Sequence, residues 1–192
     1  MVSAFIRWCL LLIANVLVLV LAYLLAPILP AFATKDAHLP RWLSWFDQPD
    51  DDLDGDNGWK TEHRLFLGHS KVDQGWRRYI NRVLWLIRNP AYGWDISVLG
   101  FTVQTGFVGT QAGNQAVSDR PLCQGWSWRT VQNPGSNRRY WFLYIIWCWS
   151  GRFCLSIKLG WKIWLPLAAG DQCQFVCSLN PFASYAEGKN YG

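Results

Sequence analysis

Groups that carry chemistry are scarce in this sequence. His38, His63 and His69 are its three histidines, all near one acidic stretch. A nucleophile elbow, a phosphate-binding glycine loop, an HExxH helix and a dinucleotide fingerprint are all missing. A Cys–His or Ser–His pair distant in sequence stays compatible with the chain, yet nothing marks one. The expectation is therefore a protein without a catalytic role and without a cofactor. Charge is scarce too, at 16% against the roughly 25% of ordinary soluble domains. There is no CxxC pair, no internal repeat and no low-complexity tract. Cys9 falls in a hydrophobic run, which leaves Cys123, Cys148, Cys154, Cys173 and Cys177. A zinc site needs two close ligand pairs, and Cys173 with Cys177 is the nearest approach to one. Buried free thiols are the economical reading. Disulfides are the alternative if the domain is exported, above all Cys148 with Cys154 across a hairpin.

What the chain has instead is apolar and aromatic. It holds 14 tryptophans and is 51% hydrophobic. The net charge of +5 is unevenly spread, because six of the 13 acidic residues (Asp47, Asp50, Asp51, Asp52, Asp54 and Asp56) crowd into ten positions. Without them the balance is 18 basic against 7 acidic residues. A basic, aromatic surface suits anionic lipid or nucleic acid. The bilayer is the expected partner and nucleic acid is not, because a membrane segment is present.

That segment begins after Arg7. From Trp8 to Thr34 no residue is charged, which is more than the about 20 apolar residues needed to cross a bilayer as a helix. Pro27 and Pro30 mark its end. A cleaved secretory signal is the rival reading, with Ala31-Phe32-Ala33 as the cleavage site. The apolar run from Cys9 to Leu25 is longer than the usual 7–15 residues of such signals, which favours a retained single-pass anchor. Arg7 competes with Lys35 and Arg41, so the positive-inside rule sets no orientation.

Beyond the anchor, Trp42 and Trp45 are placed to lie at headgroup depth, although capping a core would serve them equally. Asp50, Asp52, Asp54 and Asp56 resemble the start of a calcium loop. Position twelve is Thr61 where a bidentate acid belongs, and Glu62 comes one residue late. A solvated acidic turn, or one paired with arginines, is the plainer reading.

Residues 73–88 read as an amphipathic helix with Asp73 as N-cap, with Trp76, Ile80, Val83, Leu84 and Ile87 on one face. Arg77, Arg78, Arg82 and Arg88 occupy the other, either solvated or against anionic lipid. Asn89-Pro90 ends it. From Gly125 the pattern turns β, with a turn signal at Asn133-Pro134-Gly135 and a strict alternation of Leu155, Ile157, Leu159 and Trp161 with smaller or polar residues. The expected fold class is α+β. It comprises an N-terminal transmembrane helix (1–34), a polar, acidic connecting segment (35–72), and a domain (73–192) whose helix packs on a small antiparallel sheet. The strands are expected near 101–109, 125–132, 138–149 and 152–165.

PRWLSWFDQPDDDLDGDNGW, then YINRVLWLIRNPAYGWDISVLG, then RRYWFLYIIW, LGWKIW and SLNPF resemble an uncharacterised family of small proteins encoded by tailed bacteriophages. The resemblance runs from about Leu39 to Phe182. It implies a phage origin and carries no catalytic residues. The expectation is thus an accessory protein held in the host inner membrane, meeting the envelope or a phage or host membrane protein. A virion or assembly component and a secreted domain released by signal cleavage are the alternatives.

Overall fold

The structure is a computed structural model, and it describes residues 2–56, 58–59, 74–119, 122–136, 138–150 and 153–184. Asp73, His63, His69, Thr61, Glu62 and the strand start expected at 152 lie outside them. The chain is α+β, with an apolar N-terminal helix and antiparallel sheets. It divides into two compact units, Met1–Leu12 with Leu99–Gly192 (the sheet unit) and Ile13–Val98 (the helical unit). Helix α1 (Val2–Leu25) contributes its first half to one and its second half to the other.

The sheet unit is built on five antiparallel strands in the order β2-β5-β6-β7-β9, namely Val108–Gly113, Gly125–Gln132, Arg139–Cys148, Phe153–Trp161 and Phe175–Ser184. The short strands β1 (Phe101–Thr102) with β8 (Gln172–Cys173), and β3 (Ser118–Asp119) with β4 (Leu122–Cys123), form two further pairs. Central β6 is aromatic and β-branched on both faces, the composition of a strand with neighbours on both sides. The turn after β5 relies on Gly135 at φ +67°. Asn133 then pins the connection that follows β1, donating to the Thr102 carbonyl at 2.8 Å and accepting from the Gln104 N–H at 3.0 Å.

The two faces of this sheet differ in an unexpected way. The buried face carries the more polar rows: Ser127 and Arg129 on β5, Phe142, Tyr144 and Ile146 on β6, Cys154 and Ser156 on β7. Arg129 is 3% exposed and donates to the carbonyls of Ile163 and Gln115 at 2.8 and 3.1 Å, with Trp164 under its guanidinium. The two carbonyls occupy both terminal nitrogens of this buried guanidinium, leaving Nε without a partner, and these two bonds fasten the flanking loops over the sheet. The opposite face carries the more apolar rows, with Thr110, Thr130, Gln132 and Arg139 gathered at its β2–β5 corner. Its lower end, Trp141, Trp161 and Phe175, is covered by Phe5 and Trp8 of α1, with Trp8 and Trp141 ring centres 5.3 Å apart. Trp161 is fully buried there and donates to the Leu99 carbonyl at 2.8 Å.

In the helical unit, Pro27 and Pro30 stop α1 and a 3-10 turn follows at Leu29–Phe32. Ala22, Ala26 and Leu29 then join Leu39, Leu43, Phe46, Leu53, Leu86 and Ala91 in one core. A second 3-10 turn, Arg41–Phe46, packs against α3 (Tyr92–Ser97), which follows α2 (Gly75–Arg88). The joint between α2 and α3 is tight. Ala91 is left-handed at φ 53° and 1% exposed, and a Cβ on Gly93 would collide with the Ser44 carbonyl. Because the obstacle is backbone, Gly93→Ala is expected to destabilise this unit by about 2–3 kcal/mol, read as a lowered midpoint in urea unfolding.

Helix α2 turns a different side inward from the one its apolar spacing suggests. Trp76, Ile80 and Ile87 are exposed, whereas Asn81, Trp85 and Leu86 are buried. The reason is a polar centre 24 residues upstream, described next, that draws the arginine side of the helix in. α2's partners described here lie in its own unit: Trp59, Asp54 and the Pro27 carbonyl, which accepts from Tyr79 at 2.6 Å.

Candidate functional site

Asp54 is the centre of the helical unit's polar network. Its carboxylate takes Arg78 Nε at 3.0 Å and Nη2 at 2.6 Å, and Arg82 Nε at 2.8 Å and Nη2 at 3.1 Å. Asn81 donates to the Asp54 carbonyl at 3.1 Å and accepts the Trp59 indole N–H at 2.8 Å. Burial would raise the Asp54 pKa, but the two guanidinium clamps outweigh it and hold the carboxyl well below the usual carboxylate range. Asp47 shows the opposite balance: burial raises it, against hydrogen bonds from His38 and the Leu39 N–H.

The other acids face separate partners. Asp50 meets the Tyr92 hydroxyl at 3.4 Å, Asp51 accepts from Gln48, Asp52 from the Asp54 N–H, and Asp56 from the Trp59 N–H. The hydroxyl of Tyr92 is pushed up to about 12 by burial and by Asp50. Among the described residues no group of three or more His, Cys, Asp or Glu is placed to hold a metal ion. Of the four calcium candidates, Asp52 and Asp56 accept from backbone N–H groups of their own loop, Asp54 from two arginines and Asp50 from Tyr92.

Of the arginines expected at a membrane surface, Arg78 and Arg82 are thus turned to Asp54. Arg77 lies 5.6 Å from the Trp76 ring, and Arg88 spans Trp59 and Trp85 at 5.3 and 5.8 Å. The outward groups of the helical unit are apolar. Trp42 is 71% exposed and Trp76 68%, and Trp45, Ile80 and Ile87 are also open, along with Ile13, Leu17, Val20, Leu24 and Ile28 of α1 and the residues after it. In the sheet unit the outward side of α1 is likewise apolar, with Val2, Phe5, Ile6 and Leu10 exposed. Periodicity explains each set by itself: in the first half of α1 residues 2, 6 and 10 share a side away from buried Ala4 and Trp8, and in the second half residues 13, 17, 20 and 24 share one away from buried Asn15 and Ala22. Sequence reasoning missed this two-sidedness because both sides of α1 are apolar. Its signal was the row of small or polar residues, Ala4, Asn15, Ala22 and Ala26, on one side.

Cys148 and Cys154 are cross-strand partners in β6 and β7, joined as a disulfide. The thiol of Cys173 is buried and pushed up to about 12 by that burial, so it is unreactive at neutral pH. In maleimide gel-shift assays under denaturing conditions, two more thiols per chain are expected after reduction than before. An unchanged count would show that this pair is reduced in the cell.

In each unit, then, many of the exposed large side chains among the described residues are apolar. No curated protein and no solved structure matches the chain. A family model does, over residues 1–187, and by that match the chain belongs to a family of unknown function, DUF7338.

Proposed function

We propose that this is a phage-encoded accessory protein held at the host inner membrane by α1, acting there through interaction with the envelope or a membrane partner. The observation that carries the reading is the exposed side of α1. The helix has 24 residues and a mean hydropathy of 2.7 over its most apolar window, yet only 17% of that window is buried. Leaving a stripe of Leu, Ile and Val in water costs about 25 cal/mol per Å², and a bilayer removes that cost.

Retention of α1 is supported by what its inner side does. Trp8 fills the sheet unit and Ala22 and Ala26 fill the helical unit, so a signal cleaved after Ala33 would strip buried side chains from both cores. The same packing favours a helix lying with one side in lipid. Its length favours the second reading, a full crossing as a single-pass anchor, which would require Trp8 and Ala22 to leave their contacts. Alkaline carbonate fractionation of the full chain, with protease protection of tags at both termini, tests these readings. Pelleting with the membrane and tags on the same side is expected. Tags on opposite sides would replace the lying helix by the crossing one, and an unprocessed chain in the supernatant would end the membrane reading.

A further inference from the structure

The sheet unit has a second apolar surface that α1 leaves open. On the face of the sheet where α1 packs, the cross-strand rows run Trp126, Ile145, Ile157, Leu179 and, one row nearer α1, Ala112, Trp128, Leu143, Leu159, Cys177. Trp126 is 51% exposed, Trp147 62% and Leu179 69%. Cys177 is also exposed, and Ile145, Leu155, Ile157 and Leu159 are half-buried. A shallow apolar hollow of about 360 Å³ lies between Trp126, Ile145 and Trp147. These two rows contain no charged residue; Arg129 and Lys158 belong to two rows of the other face, and Arg139 stands on this face at its far end, paired with Gln132. Along these rows the sheet is apolar on its open side and more polar on its closed side, the reverse of a water-facing domain.

We infer that this open face is a lipid-contact surface, resting side-on in the interfacial layer of an anionic bilayer beside the first half of α1. The inference rests on the membrane reading above and adds the sheet to it. Three observations select lipid as the occupant. First, the face is continuous with the outward residues of α1 within the same unit, since α1 covers its lower end through Trp8, Trp141 and Phe175. Second, its outer positions are indoles, Trp126, Trp147 and Trp149, the side chain suited to the boundary between headgroups and acyl chains. Third, the charge fits: the sheet unit holds nine basic residues against three acidic ones, whereas the helical unit holds nine against ten. Exposed Arg138 and Arg139 flank the α1 end of the face, where both would be attracted to anionic headgroups. The depth is limited to side chains, because β2 and β9 are sheet edges whose unpaired backbone groups hydrocarbon cannot satisfy.

Cys177 supplies a native probe position on this face. In a full-length chain carrying Cys9→Ala and Cys123→Ser, Cys177 is labelled with a bimane maleimide in detergent and reconstituted into phosphatidylglycerol–phosphatidylcholine vesicles. The unlabelled parent chain is tested for flotation in parallel. The label is expected to lose roughly half its emission or more to bromines on the acyl chains, since an interfacial surface lies within about 5–10 Å of that boundary, and to resist aqueous iodide. Flotation with quenching by iodide alone would overturn the inference and leave the membrane reading standing. Flotation with protection from both quenchers would show a protein, such as a second copy, on the face, and would overturn it equally. A parent chain that does not float would remove both.

Discussion

Asp54→Ala is expected to cost the helical unit about 3 kcal/mol. This is the low end of the 3–5 kcal/mol typical when one partner of a buried ion pair is removed, because Arg78 keeps 41% of its side chain exposed. Arg82, with 12% exposed, would be left without its carboxylate, and Arg78 would lose both of its short contacts. Asp54→Asn should cost less, because an amide oxygen still accepts one guanidinium. The pH dependence has a definite sign. A carboxyl held below its ordinary value stabilises the fold fully above the unfolded value of about 3.9 and loses that contribution as pH falls through its folded value. The advantage of the parent over Asp54→Asn in urea unfolding should thus be full at neutral pH and shrink below about pH 4. Asp47, raised by burial, works in the other direction and makes the fold less stable as pH rises through its own titration. An Asp54→Asn chain with unchanged stability at neutral pH would mean that the double clamp contributes nothing.

Trp8→Ala is expected to cost the sheet unit about 3–5 kcal/mol, the usual penalty for emptying a large aromatic site. Trp8 is 6% exposed, lies 5.3 Å from Trp141 and 6.0 Å from Phe175 between ring centres, and points its indole N–H at the Val176 carbonyl at 3.4 Å. Leu10, two residues on, is 63% exposed, so Leu10→Ala should change stability by no more than about 0.5 kcal/mol. Thermal unfolding in mild detergent, followed by near-ultraviolet circular dichroism, compares the two. Equal midpoints would mean that both sides of α1 meet the same apolar medium, which is the behaviour of a helix surrounded by lipid.

The sequence made some of this visible and hid the rest for physical reasons. α1 is plain from Cys9 to Leu25 because apolarity alone specifies it. Its inward side is not plain, since Ala22 and Leu21 differ little in polarity and only their partners tell them apart. The alternation of Leu155, Ile157 and Leu159 with Cys154, Ser156 and Lys158 reveals a strand, but says nothing about which row is covered. The side that reads as exterior is the one enclosed here. For α2 the spacing of Trp76, Ile80 and Ile87 suggests an apolar core face, and a long-range pairing with Asp54 overrides it. Strand β9 (Phe175–Ser184) is absent from the expected strands, and Pro181 within it interrupts the run of residues that a strand pattern needs. Two segments within the stretches quoted for the resemblance, Leu53-Asp54-Gly55-Asp56 and Arg88-Asn89-Pro90-Ala91-Tyr92-Gly93, act as joints in the structure. Leu53 is a core residue, Asp54 a clamp and Gly93 a point of backbone contact.

Between the pairs Ser156 with Asn180 and Cys154 with Ala183, β9 has one residue more than β7, and Pro181 falls in that irregular stretch. An outer strand kinked there, and short of one amide hydrogen, makes a poor template for another chain. Molecules crowded side by side would thus be discouraged from zipping together along this edge into filaments.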